Sequence, residues 1–276
     1  MLLTTALIVG GLLAVAAVLF AATRLADDRR LAVIWRSLEV EGAGETFSAD
    51  MVAGLPEPGR RYFLHAIRPG TPLAASVRLE MTGAIKPGPK AAWMPLEAEQ
   101  IVAPPKGFVW KASVKGGAMS LSGADYYANG EGRQGFRLWG LIPLISAEGA
   151  DTAKSAAGRC AAEALLVPSA LLPQRGAKWE AVDEKSAKVV MEIDGELVTL
   201  TISVEPDGKL RDMSLPRWGN QTEDGSYDYI PFGMECLEER RFGGYAIPSE
   251  IRAGWWYGTK RYSEFFRATI AKAEFR

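Results

Sequence analysis

The chain has 276 residues and nearly cancelling charges, 32 Lys and Arg against 33 Asp and Glu, for a formal net charge of -1. That balance argues against a nucleic-acid binder, whose footprint is a strongly basic domain or stripe. With 48% hydrophobic and 24% charged residues, the composition is that of a folded protein long enough to bury a sizeable core. The two cysteines, Cys160 and Cys236, cannot form a zinc site by themselves and read as free, buried thiols.

The first segment, "LLTTALIVGGLLAVAAVLFAA" at residues 2–22, holds no charge and no proline. At ~1.5 Å rise per residue, a run of about twenty apolar residues spans a bilayer core. No Lys or Arg precedes it, and it is longer than a signal-peptide core, so residues 1–23 read as a single-pass anchor rather than a cleaved signal. Residues 24–44 read as a juxtamembrane amphipathic helix and linker, with Leu25, Leu31, Ile34, Trp35 and Leu38 apolar among arginines. Such a stretch is expected to lie against the membrane surface. Counted alone, Arg24, Arg29, Arg30 and Arg36 would keep the following domain in the cytoplasm.

Residues 45–276 read as one β-rich domain. "SADMVAGLPEPGRRYFLHAI" opens it with helical spacing behind Ser48, broken at Pro56 and Pro58. From "VRLEMTGAI" onward the period becomes two, and turn signals appear at Asn129-Gly130, Asp194-Gly195, Asp207-Gly208 and Gly243-Gly244. Nine to eleven strands are expected, interrupted by one helix of any length, over 152–166. The predicted class is mainly β (α+β): a strongly curved antiparallel sheet, or incomplete barrel, with one or two packed helices and an N-terminal transmembrane helix.

Catalytic signals are sparse. His65 is the sole histidine, has no nucleophile motif in the chain to serve, and reads as structural. No phosphate-binding loop is present. Glu97 with Glu99, Glu238 with Arg240 and Glu239 with Arg241 share strand faces, and the ordinary reading is that those faces meet water. No metal and no cofactor is expected. The tryptophans say more: seven of eight lie beyond residue 90, and a curved sheet loaded with them either fills its interior or leaves an apolar pocket.

The motifs "GFVWKASV", "DYYANGEG", "GRCAAEALLVPSALLP", "WEAVDEKSAKV" and "GYAIPSEIRAGW" together resemble a bacterial membrane-anchored family of unknown function, from about Leu55 to the C-terminus. That family carries an Arg-x-x-x-Glu helix, a "P-x-A-L-L-P" segment and a following Trp; Arg159, Glu163, Pro168, Ala170, Leu171, Leu172, Pro173 and Trp179 match it. It differs at Cys160, Ala161, Leu166 and Val167, where members often have bulkier residues. More remotely, the pattern resembles the LolA- and LolB-type lipoprotein carriers, which implies an incomplete barrel closed by helices over a cavity for acyl chains. It also implies an extracytoplasmic domain, against the arginine count.

The expected function is a membrane-anchored, non-enzymatic binding module on the inner membrane that holds a lipid, a lipoprotein acyl chain or another apolar ligand. The candidate ligand-binding residues are Arg159, Glu163, Trp110, Trp139 and Trp179, with the helix at 152–166 as part of a lid. The alternative is a filled-core scaffold or envelope assembly factor. A hydrolase using Glu163 with Arg159 is third. The sequence fixes no oligomeric state.

Overall fold

The computed structural model describes residues 2–88, 90–117 and 119–276, apart from the side chains of residues 2, 3, 6, 7, 9, 12–14 and 16. Three α-helices appear among the described residues: α1 Leu2–Leu38, α2 Glu57–Ala66 and α3 Ala150–Glu163. The strands are β1 Val77–Ile85, β2 Met94–Ala103, β3 Gly107–Gly116, β4 Met119–Ala128, β5 Glu131–Leu138 and β6 Ile142–Glu148. After α3 follow β7 Lys178–Ala181, β8 Ser186–Ile193, β9 Glu196–Val204, β10 Leu210–Gly219, β11 Asp228–Phe242, β12 Tyr245–Trp255 and β13 Ser263–Phe275. All thirteen form one antiparallel sheet ordered β6-β5-β4-β3-β2-β1-β13-β12-β11-β10-β9-β8-β7.

That order explains where the helix goes. Two meanders meet at the β1–β13 pair, so β6 and β7, consecutive in the chain, are the two free edges. Their connection must cross from one edge to the other, and α3 with the 3-10 turns at Ala164–Leu166, Pro168–Leu171 and Pro173–Arg175 packs over the concave face on the way. The approach is close. A Cβ built on Gly132 of β5 would fall 2.7 Å from the Ala153 Cα of α3, so only glycine fits there.

The count of thirteen exceeds the expected nine to eleven for local reasons. β7 is four residues long, too short for a period to register. β6 follows a turn whose first left-handed residue, before Gly140 at φ 70°, is Trp139 at φ 50°, a position ordinarily given to Gly, Asn or Asp. Where the turn chemistry is standard the hairpins are found as read: Asn129 and Gly130 take φ 53° and 74°, and Asp194 and Gly195 take 49° and 85°.

Strand alternation sorts the apolar residues onto two faces. On the concave side Leu79, Leu96, Phe108, Val189, Leu215 and Ile247 join α2 and α3 in the main core. On the convex side Ile101, Ala103, Val109 and Tyr126 form a second, smaller core with Trp35 and Leu38 of α1, and Leu31 and Ile34 pack against it. This corrects the expectation for residues 24–44. Leu31, Ile34, Trp35 and Leu38 of the amphipathic stretch pack on the domain, while Leu25 stays 52% exposed, and two of its polar residues bind the domain too. Asp27 takes Arg133 and Arg137, and Arg30 reaches Glu131 at 2.6 Å. Among the described residues no helix is long and apolar enough to cross a membrane; the span expected at residues 2–22 falls in part on side chains outside that description.

Cys160 and Cys236 are free and buried. Glu239, expected on a water-facing strand, is instead covered where α2 meets β11: it accepts from His65 Nε2 at 2.6 Å and from the Leu210 N–H at 3.0 Å. The hydrogen bond donated to Glu239 raises the His65 pKa above its ordinary 6.5. Below 6.5 the folded and unfolded chains are both protonated at this site, and the pair contributes in full. As pH rises through the elevated folded value the proton leaves and the contribution is lost. The melting temperature of wild type is therefore expected to fall as pH rises from 6.5 through the elevated folded value, and a His65→Asn chain to show a flatter profile. Parallel profiles would remove His65 as the cause.

Candidate functional site

Between the concave face and α3 lies a cavity of about 960 Å³. Most of its wall is apolar, with Met81, Phe232, Ile251, Trp255, Phe265 and Phe266 among the lining residues. The concave face thus leaves an apolar pocket beneath the helix.

One end of the cavity is polar, and sheet register builds it. Gln100 of β2 pairs with Trp110 of β3, Trp110 with Asp125 of β4, and Asp125 with Gln134 of β5, so these four residues form a row across the concave face. α3 lowers Arg159 and Glu163, one turn apart, onto that row. Arg159 Nε donates to Glu163 Oε1 at 2.7 Å and its Nη1 to Asp125 Oδ2 at 3.0 Å. Gln100 Nε2 donates to the other Glu163 oxygen at 2.7 Å. The guanidinium also lies over aromatic faces, 4.4 Å from the Phe108 ring centre and 5.4 Å from that of Trp110.

The electrostatics follow from burial. Burial raises the Asp125 pKa, and the attraction of Arg159 only partly offsets it. Burial also opposes the Arg159 charge, but Glu163 and Asp125 together outweigh it and hold the guanidinium above its ordinary value. Two buried polar atoms here have no hydrogen-bond partner among the described residues: Asp125 Oδ1 and Trp110 Nε1. Both belong to side chains that line the cavity.

Opposite α3, Arg217 of β10 completes the polar end. Its Nε donates to the Ser155 carbonyl of α3 at 3.1 Å, and its guanidinium sits 4.9 Å from the Phe232 ring centre and 5.0 Å from that of Trp255. No carboxylate lies within ion-pairing distance of it among the described residues, in contrast to Arg159. Sequence reading missed Arg217, Asp125 and Gln100.

Of the sequence-predicted residues, Arg159, Glu163 and Trp110 meet at the cavity. Trp139 and Trp179 stand apart from it. Trp139 lies in the β5–β6 turn and is 57% exposed. Trp179 packs against Tyr62 and Phe63 of α2 and donates from Nε1 to the Leu171 carbonyl at 2.8 Å. The second half of the Arg-to-Trp motif is thus a clamp: Trp179 fastens the proline-bounded turns to α2, and Ser169 Oγ fastens them to the Ala74 carbonyl. Among the described residues no cluster of three or more His, Cys, Asp or Glu is placed to hold a metal ion.

A family model described as "Family of unknown function (DUF6920)" matches residues 53–275, the stretch that carries the motifs. No curated protein matches the chain. Among solved structures, the chain is similar to a LolA superfamily protein from Nitrosomonas europaea, at 8% identity and a TM-score of 0.37, over 74% of this chain and 86% of that one. It is also similar to a DUF1329 family protein from Desulfovibrio piger, at 11% identity and a TM-score of 0.32, over 73% and 86%.

Proposed function

We propose that this chain, which belongs to the DUF6920 family of unknown function, is a membrane-tethered binding module that holds an acyl chain in the cavity beneath α3. The observation that carries this reading is the cavity itself: about 960 Å³, walled mainly by apolar side chains, with its polar groups gathered at one end. That is the volume class of small-molecule sites, and its division into apolar and polar parts matches an amphiphile.

The tether rests on the uncharged run at residues 2–22 and on what stands beside its end. Arg24, the first charge after the run, donates to the Gly140 carbonyl at the tip of the β5–β6 hairpin at 2.9 Å. There Trp139, Leu141, Ile142 and Leu144 are all exposed. A tip of this composition, level with the end of an apolar helix, suits the interfacial zone of a bilayer. We place the domain on the extracytoplasmic side of the inner membrane. Two of the four arginines that would argue otherwise have bonds to the domain, Arg24 to Gly140 and Arg30 to Glu131, which give them a role other than a topological one. A C-terminal alkaline phosphatase fusion active in whole cells supports this side, and an inactive one reverses it.

The binding reading is tested on a chain shortened to begin at residue 24. A cut at residue 40 would strip Trp35 and Leu38 from the convex core. Purified without detergent, the shortened protein is expected to carry lipid in near-stoichiometric amount by mass spectrometry of its organic extract. Clean protein that also takes up no fluorescent fatty acid would end the proposal.

A further inference from the structure

We infer that Arg217 is the recognition residue for an anionic headgroup, so that the cavity takes acyl chains ending in a carboxylate or phosphate in preference to uncharged ones. The inference rests on the lipid-binding reading and specifies its ligand class. Its ground is the inequality of the two arginines at the polar end of the cavity. Arg159 is neutralised in place by Glu163 and Asp125, both within 3.0 Å. Arg217 has one protein acceptor, the Ser155 carbonyl, which leaves four of the five guanidinium N–H groups without one.

The position is built rather than incidental. Phe232 and Trp255 both lie about 5 Å from the guanidinium, which fixes its plane against the apolar wall. Gly158 of α3 makes room for the Arg217 stem; a Cβ there would lie 3.2 Å from Arg217 Cγ. A chain lying along Phe232 and Phe265 would bring its head to this group. Burial, with the like charge of Arg159, pushes the Arg217 pKa down to about 9. An unpaired cation of this kind gains most from a bound anion.

The test uses the full chain in a non-ionic detergent and reads quenching of cavity tryptophans, Trp110 and Trp255, by brominated acyl ligands. Dibromostearic acid and dibromostearyl alcohol share a chain and differ in the head. At a pH where the acid is ionised, wild type is expected to bind it about tenfold or more tighter than the alcohol, the worth of a hydrogen-bonded charge pair. Arg217→Met is expected to remove that preference and leave affinity for the alcohol within about twofold. Arg217→Lys, which keeps the charge and guards against a folding defect in the first variant, is expected to retain most of it. Competition by lysophosphatidate, and not by lysophosphatidylcholine, would extend the site from carboxylate to phosphate heads; competition by neither confines it to carboxylates. Equal affinity of wild type for acid and alcohol, or a preference that survives Arg217→Met, overturns the inference while leaving acyl-chain binding intact. Quenching by neither ligand removes the lipid-binding reading and this inference together.

Discussion

Replacing Arg159 by leucine is expected to cost the fold about 5 kcal/mol, and Glu163→Ala about 3 kcal/mol, the range found when one partner of a buried ion pair is removed. The order follows from the partners. Arg159→Leu leaves Asp125 and Glu163 without a directly paired cation, and the Gln100 amide still donates to Glu163. Glu163→Ala leaves Arg159 still held by Asp125. Glu163→Gln keeps hydrogen-bonding capacity and should lose least. The Arg159→Leu deficit should also shrink on acidification. With the guanidinium gone, the burial that raises the Asp125 pKa loses its main offset, so the folded variant binds more protons there and its stability falls as pH rises through that raised value. Urea unfolding of the shortened chain at two pH values measures both effects. A Glu163→Ala loss below about 0.5 kcal/mol, the worth of an exposed pair one helical turn apart, would mean that the cavity end behaves as open solvent.

How much of this was legible beforehand depended on sequence distance. Asn129-Gly130 and Asp194-Gly195 announce hairpins because the left-handed backbone they adopt is a local property. The Arg159–Glu163 pair is legible for the same reason, four residues apart on one helix face. What the pair does was not legible, because its partners arrive through register: Asp125 lies 34 positions from Arg159, and Gln100 lies 63 from Glu163. Arg217 comes from the far meander, 62 positions from the carbonyl it bonds. Three tryptophans looked equivalent as candidates. Only the fold separates Trp110 on the concave row from Trp139 in a turn and Trp179 of β7, packed against α2. The amphipathic stretch of α1 misled differently. Its periodicity correctly signalled an apolar stripe, yet periodicity cannot say whether the stripe meets lipid or a sheet. Ile101 and Val109 show why: they alternate with concave residues and so supply a convex patch that needs covering.

Filling the cavity should abolish uptake while sparing the fold. Ala162 on α3 and Ala253 on β12 both line it, from opposite walls. Ala162→Phe with Ala253→Phe would place two rings in space that the native chain leaves empty. Overpacking an ordinary core costs about 1–3 kcal/mol because neighbours must move; here rings have a void of about 960 Å³ to enter, and their burial stabilises them. The expected result is a melting temperature at or above that of wild type, with fatty-acid binding reduced tenfold or more. The contrast with Arg217→Met separates chain from head: the plugs remove acid and alcohol alike, whereas the arginine variant affects the acid alone. Unchanged binding in the doubly plugged chain would place the ligand elsewhere. The β5–β6 tip would then be the surface to examine, since Leu144 and Ile145 are exposed there, at 57% and 40%.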